Sequence, residues 1–211
     1  MTTKTRTKEK SQSIGRGFAI LSFSSIAVKI LSLFFVPVMR KLLGGSYGYG
    51  VYGAASEVYA FVYVITTSGM PVAVSKIVSE LTSQDNPREA ERSFRLARFF
   101  LIIVGLVSSI LMAIFAKPIA ALMNNEDSWA GILFLAPSIM ICSIMAAYRG
   151  YFQGKRNMTP TAASQIIEQI VHVAVSIICV IGLKHHGIVW AVAGASIGTS
   201  VGAFVSFAII V

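Results

Sequence analysis

The fold is decided by one continuous stretch, SWAGILFLAPSIMICSIMAAY (residues 128–148), RGYFQGKRNMTP (149–160) and TAASQIIEQIVHVAVSIICVIGL (161–183). The first segment has 21 residues and no charge, and the third carries one formal charge, Glu168. About 20 apolar residues cross the hydrocarbon core of a bilayer as a helix, so each of these two segments is long enough to span a membrane. The stretch therefore predicts two transmembrane helices joined by a short basic turn.

The composition agrees with a membrane protein throughout. Of the 211 residues, 55% are hydrophobic and 13% are charged, whereas about 25% of the residues in a soluble domain are charged. This excludes a soluble enzyme, a disordered tail and a disulfide scaffold. Cys142 and Cys179 have no Cys or His at ligand spacing, so we expect neither a metal nor a cofactor.

Four further apolar runs extend the pattern to an all-α integral membrane protein, a bundle of six transmembrane helices. The second helix should break near 69–71, at Gly69-Met70-Pro71, because proline lacks a backbone donor. Residues 1–13 form a basic tail, and 14–211 form the bundle. The expected helices cover residues 17–39, 51–81, 94–116, 128–149, 160–183 and 187–211.

Basic residues indicate the orientation of this bundle. The chain has 18 Lys and Arg against 9 Asp and Glu, a net charge of +9. When the connections are assigned to alternate sides, thirteen basic residues fall on the side of the N-terminus and four on the other, and Lys29 lies within the first helix. The positive-inside rule then predicts that both termini are cytoplasmic. Membrane lipids are expected partners, and nucleic acid is not.

Two predicted helices carry polar side chains along one face. A charge in mid-helix costs about 2.5–3.5 kcal/mol on insertion scales, so such residues need an explanation. In the first helix, Lys29 is aligned with three serines. Either it faces a water-filled cavity and attracts an anion, or it forms an ion pair with Glu57.

The fifth helix has the longer polar face. It either lines a transport pathway, where Glu168 and His172 share a proton or hold a cation, or it makes hydrogen bonds between packed helices. Its polar residues are Thr161, Gln165, Glu168, Gln169, His172 and Ser176.

Small residues dominate one face of the sixth helix. Gly194, Gly198 and Gly202 recur every four residues, a pattern typical of close helix packing in membranes. The sequence contains no recognisable catalytic constellation, so we do not expect an enzyme.

Several motifs together resemble a known family. RGYFQGKRNMTPTA (149–162) and SQIIEQ (164–169) resemble the junction of the fourth and fifth helices in SpoVB/MurJ-type polysaccharide biosynthesis proteins. SGMPVAVSK (68–76) is similar to the second-helix motif of that family, and LGGSYGYGVYG (43–53) to its first loop. These proteins belong to the multidrug/oligosaccharidyl-lipid/polysaccharide exporter superfamily.

The resemblance implies a flippase of the bacterial cytoplasmic membrane. Its substrate would be an undecaprenyl-pyrophosphate-linked cell-wall precursor, lipid II or a related lipid-linked oligosaccharide, moved by alternating access. Family members have two lobes, and this chain is similar to the N-terminal, six-helix lobe, with the C-terminal lobe missing.

The site residues expected on this basis fall into two groups. The substrate-binding group is Lys29, Glu57, Lys76 and Arg149. The ion-coupling group, which would respond to protons, sodium or the membrane potential, is Glu168, His172, Gln165 and Gln169.

Two alternatives stay open at this point. One is a cation-coupled multidrug exporter of the same superfamily. The other is a non-transporting membrane assembly subunit that binds its partner through the glycine face of the sixth helix.

Overall fold

The computed structural model describes residues 14–211, which are helical apart from short turns and contain no strand. The expected basic tail, 1–13, lies outside these residues. Two short 3-10 turns, Glu126–Ser128 and Lys184–His186, lie before the helices that begin at Trp129 and Ile188. The α-helices are α1 (Ile14–Leu42), α2 (Ser46–Thr67), α3 (Met70–Ser83), α4 (Pro87–Ile114), α5 (Ala116–Leu122), α6 (Trp129–Gly154), α7 (Thr159–Leu183) and α8 (Ile188–Ile210).

The described chain has six helical segments that are long and apolar enough to cross a membrane. Five are α1, α4, α6, α7 and α8, and the sixth is α2 together with α3. The prediction of an all-α bundle with six spans is therefore confirmed.

Several helix ends differ from the expected ones. α2 begins at Ser46 rather than at residue 51, so the preceding turn is reduced to Leu43, Gly44 and Gly45, and both glycines have positive φ. α4 begins at Pro87, before the apolar run, because a proline and Glu89 in the first turn suit a helix N-terminus. The short helix α5 was not expected. A count of apolar residues locates each membrane span, but it does not detect the helical turns that continue into the polar sequence on either side.

The second span is interrupted at the glycine and proline. α2 ends at Thr67, Gly69 has a left-handed φ of 76°, and Pro71 occupies the first turn of α3. Glycine adopts this φ without the steric cost that a side chain adds, and proline fits the first turn because its missing donor is not needed there.

The helix α6 lies at the centre of the packing. It contacts α2, α3, α4 and α8, whereas α7 packs between α8 and α1. Most residues of α6 are buried, and most of α1 is exposed. The helices therefore form an arc in which α1 is an edge helix whose main neighbour is α7.

Glycines allow two of these contacts to be close. A Cβ at Gly194 would lie 2.9 Å from the backbone of Cys179 in α7, and one at Gly202 would lie 2.8 Å from the Glu168 carbonyl oxygen. On α6, a Cβ at Gly150 would lie 2.6 Å from the Pro71 carbonyl oxygen in α3. Backbone-to-backbone packing thus fixes α8 on α7 and α3 on α6.

Candidate functional site

A polar groove of about 330 Å³ lies between α1 and α7, with α6 contributing at its end. It brings five of the expected site residues together from three helices. Its lining residues are Ser25, Val28, Lys29, Arg149, Gln165, Glu168 and Gln169.

Lys29 is the unpaired charge of this groove. Its side chain is exposed on α1, and it has no ion pair or hydrogen bond to any residue of the described range 14–211. The alternative of a Lys29–Glu57 ion pair is not observed in that range. Lys29 thus retains its full capacity to interact with an anion.

Arg149 and Glu168 form a short ion pair across the end of the groove. Arg149 Nη2 donates to Glu168 Oε2 at 2.6 Å, and the two side chains are 13% and 27% exposed. The same nitrogen lies 3.4 Å from Ser206 Oγ of α8, which in turn donates to the Ser164 carbonyl oxygen at 3.0 Å. The pair therefore links α6, α7 and α8, and Arg149 Nε is buried without a hydrogen-bond partner in the described part of the chain.

The two glutamines of the groove connect α1 to α7. Ser24 Oγ donates to Gln165 Oε1 at 3.3 Å, and Gln169 Nε2 donates to Ser32 Oγ at 3.2 Å. These bonds lie on either side of Lys29 along α1. The hydrogen-bonding interpretation of the polar face of the fifth helix is therefore observed for these two glutamines, which also line the groove.

The structure separates His172 from the Glu168 carboxylate. Glu168 contacts Arg149, while the His172 ring packs 4.8 Å, centroid to centroid, from the Phe35 ring of α1. His172 Nε2 is buried and has no hydrogen-bond partner among residues 14–211. Among residues 14–211 the Glu168 carboxylate is bonded to Arg149, so the structure shows no direct contact for the proton sharing expected from the i, i+4 spacing, which stays a prediction.

The other expected substrate residues lie outside the groove. Glu57 on α2 and Lys76 on α3 are exposed and do not line it. The helix break at Gly69 and Pro71 also lies elsewhere, against Gly150 of α6, so it positions α3 rather than the groove.

The charges of the groove favour an anion. Lys29 and Arg149 are opposed by one carboxylate, Glu168, so the lining carries a net positive charge. Because such charges interact more strongly in a partly desolvated environment than in water, an anionic group is the ligand that this groove suits best.

Two contributors were missed by sequence reasoning, Ser24 and Ser206. A signal for Ser206 existed, because it continues the four-residue repeat of Gly194, Gly198 and Gly202 toward the end of α8. Ser24 has no such signal, since its neighbours Ser22 and Ser25 fit the polar face of α1 better.

Comparisons with known proteins agree on the family. The family described as "Polysaccharide biosynthesis protein" matches residues 14–211. Stage V sporulation protein B of Bacillus subtilis is 28% identical over 196 residues, and the match covers 92% of this chain and 38% of the relative. Lipid II flippase MurJ of Bacillus subtilis is 24% identical over 206 residues, with the same two coverages, 92% and 38%. The chain thus spans less than half the length of these relatives.

Solved structures show the same fold. A crystal structure of a MATE mutant has a TM-score of 0.74 and 20% identity, covering 89% of this chain and 42% of the other. An inward-facing multidrug resistance MATE family transporter of the MOP superfamily has a TM-score of 0.73 and 19% identity, covering 89% and 44%. In both cases the six-span arrangement matches part of a longer transporter chain.

Proposed function

The chain belongs to the polysaccharide biosynthesis protein family and is a multi-pass protein of the bacterial cytoplasmic membrane, and from this premise we propose that it is one lobe of a lipid flippase. Its substrate is an undecaprenyl-pyrophosphate-linked cell-wall precursor, lipid II or a related lipid-linked oligosaccharide. The activity is transport by alternating access, not catalysis.

The observation that carries this proposal is the unpaired Lys29 in the groove between α1 and α7. A lysine in a span costs about 2.5–3.5 kcal/mol on insertion scales, and no described partner offsets that cost. A pyrophosphate supplies two adjacent negative charges that interact with Lys29 and with the free donors of Arg149. The Gln165 and Gln169 amides and the Ser25 hydroxyl are suited to bind the hydroxyl groups of a sugar.

We further propose that a second lobe completes the transporter. The relatives named above are more than twice as long as this chain, and alternating access requires two bundles that rock against each other. The proposed orientation, with both termini cytoplasmic, is supported by the thirteen basic residues on one side. The groove lies beside α1, at the edge of the helix arc. A second lobe that packs against this edge can close the open side of the groove.

Complementation of a strain depleted of its own lipid II flipping tests this function. The complete gene product should restore growth, Lys29→Arg should retain part of the activity, and Lys29→Ala should abolish it at equal abundance in the membrane. Lys117→Ala is the matched control, because Lys117 lies outside the groove with its Nζ 5.1 Å from the Trp129 ring centroid. Full rescue by Lys29→Ala would exclude Lys29 from the mechanism.

The same experiment separates the two alternatives. A multidrug exporter would raise drug resistance without restoring cell-wall synthesis, and the net positive charge of the groove disfavours organic cations as cargo. A non-transporting assembly subunit would support neither activity and would depend on the glycine face of α8 instead.

A further inference from the structure

The groove between α1 and α7 is polar where the two helices are joined by hydrogen bonds. The helices run side by side in the same direction, because Ser24 contacts Gln165 and, further along both helices, Ser32 contacts Gln169. Lys29 lies between these two contacts on α1. Water and charged groups can therefore occupy this part of the groove.

Phe35 of α1 lies directly beyond this polar part, toward the turn between α1 and α2. Its ring is 4.8 Å from the ring of His172 in α7 and 6.4 Å from that of Tyr52 in α2, centroid to centroid. Phe35 is 6% exposed, and neither Phe35 nor His172 lines the groove. One aromatic side chain thus joins three helices at the point where the polar contacts between α1 and α7 end.

An apolar cluster continues from Phe35 to the α1–α2 turn. It draws residues from α1, α2, α7 and α8, so it extends across the bundle at this level. An apolar constriction excludes water and hydrated ions, which is how hydrophobic gates close channels. The cluster therefore separates the groove from the end of the bundle at the α1–α2 turn. Its buried members are Phe35, Met39, Leu43, Val51, Val180, Ala191, Val192 and Ala195.

The imidazole of His172 indicates that the contact with Phe35 is not permanent. Its Nε2 atom is buried and has no hydrogen-bond partner among residues 14–211. A buried polar atom without a partner is destabilising, and each such atom in a native structure calls for an explanation. Movement of the Phe35 ring would admit water to this nitrogen and supply the missing hydrogen bond. The unpartnered atom therefore favours a second arrangement in which the ring contact is open.

We propose that Phe35 is a gate residue of the transport pathway. Its ring closes the groove toward the α1–α2 turn in the state that the structure describes, and its movement away from His172 opens the groove to that side. The inference rests on the proposed transport function, because alternating access requires a barrier on each side of the cargo in turn. In the open state, His172 is the first polar side chain of α7 that a cargo meets as it leaves Lys29 toward the turn.

The reaction of a thiol in the groove from each side of the membrane tests the gate. Cys142 and Cys179 are replaced by alanine, and Lys29→Cys is introduced as the reporter. Membrane vesicles of both orientations are then treated with a charged, membrane-impermeant methanethiosulfonate. With Phe35 in place, the reporter should react slowly from the side of the α1–α2 turn and readily from the opposite side.

A second reporter identifies the side of the α1–α2 turn without an assumed topology. Tyr47, at the start of α2, donates a hydrogen bond to Asp127, so the turn that contains Glu126 lies at this end of the bundle. Glu126→Cys in the same background should therefore react from the side on which the groove is closed.

Substitution of Phe35 should open the closed side. Phe35→Ala should raise the reaction rate of Lys29→Cys from the side of the turn about tenfold, which corresponds to a barrier lower by about 1.4 kcal/mol, and should leave the rate from the other side unchanged. Phe34→Ala is the matched control, because Phe34 is the neighbouring phenylalanine of α1 and is 67% exposed. Phe35→Leu fills part of the space if the alanine variant does not fold, and it should raise the rate by a smaller factor.

Two results would overturn the proposal. Equal rates from both sides with Phe35 in place would show that no barrier exists, and this comparison needs no substitution at Phe35. Equal rates for Phe34→Ala and the folded Phe35 variant would show that the barrier does not depend on this ring. Labelling requires no cargo, so it can fail or succeed independently of the flippase proposal, which growth of the Lys29→Ala strain decides.

Discussion

Three charged residues line the groove between α1 and α7, and they differ in whether an opposite charge contacts them. Glu168 accepts a 2.6 Å hydrogen bond from Arg149, whereas Lys29 has no partner in the described range. Glu168 therefore acts as an internal anion that occupies one donor of Arg149. A substrate pyrophosphate therefore meets the unpaired Lys29 and Arg149, one donor of which is already bonded to Glu168.

This arrangement predicts opposite effects on stability and on anion binding for one substitution. Glu168→Gln leaves the Arg149 charge largely buried and unpaired, so we expect the free energy of unfolding to fall by about 1–3 kcal/mol. The same change removes the competing anion, so the affinity for inorganic pyrophosphate should rise. Thermal unfolding and isothermal titration of the purified protein measure the two effects.

Two further variants complete this test. Arg149→Gln with Glu168→Gln should recover much of the lost stability, because no buried charge is left unpaired, and should bind pyrophosphate more weakly than Glu168→Gln alone. Ser206→Ala is the control: it removes the 3.4 Å contact with Arg149 and the 3.0 Å bond to the Ser164 carbonyl oxygen, so it should cost about 1 kcal/mol per bond without raising the affinity for pyrophosphate. A fall in pyrophosphate affinity on Glu168→Gln would contradict the competition.

The sequence predicts which residues share a face of one helix, but it does not predict which residues of different helices form a contact. Lys29, Gln165 and Gln169 could be assigned to a groove because helical periodicity places them on polar faces. The partner of Glu168 could not be found this way, because periodicity relates residues of one helix, and Arg149 lies on another. The i, i+4 spacing pointed to His172, whose ring contacts Phe35 of α1 instead.

At the scale of helices, uncharged length was a sufficient guide to the spans but not to their ends. The six spans follow from hydropathy alone, since the membrane imposes the same requirement on each. Apolar length does not predict the polar first turns of α4 or the short helix α5. Outside the bilayer, capping residues and local packing determine where a helix begins and ends. The glycines that face α7 were recognisable by their spacing, whereas Gly150 and Gly154 were concealed in a polar turn motif.

Close packing of α8 on α7 predicts that an alanine substitution costs more stability at a glycine in this contact than at a glycine outside it. Gly198→Ala should destabilise the protein by about 1–3 kcal/mol, because its new Cβ would lie 2.8 Å from the His172 carbonyl oxygen and still closer to Ser176. Gly53→Ala on α2 is the matched control, since its Cβ meets no atom within 4 Å and alanine favours a helix. Thermal unfolding in detergent compares the two. Similar stability of both variants would show that α7 and α8 can separate at little cost.

At the scale of the whole molecule, charge and hydropathy give an orientation that can be measured directly. Gln84 lies in the turn between α3 and α4, and Glu126 lies in the turn before α6; both are exposed. After Cys142 and Cys179 are replaced by alanine, a membrane-impermeant maleimide should label Glu126→Cys in intact cells. Gln84→Cys should react only after permeabilisation. The reverse pattern would invert the proposed topology.

The position of α1 at the edge of the arc also has a consequence for biogenesis. Its main neighbour, α7, begins more than a hundred residues after α1 ends. During translation, α1 therefore enters the bilayer before α7 and lies among lipids, with Lys29 unpaired, until the fifth of the described spans has been synthesised. The insertion machinery must accept this helix on its own hydrophobicity, so the apolar residues around Lys29 have to offset its insertion cost as well as stabilise the finished structure.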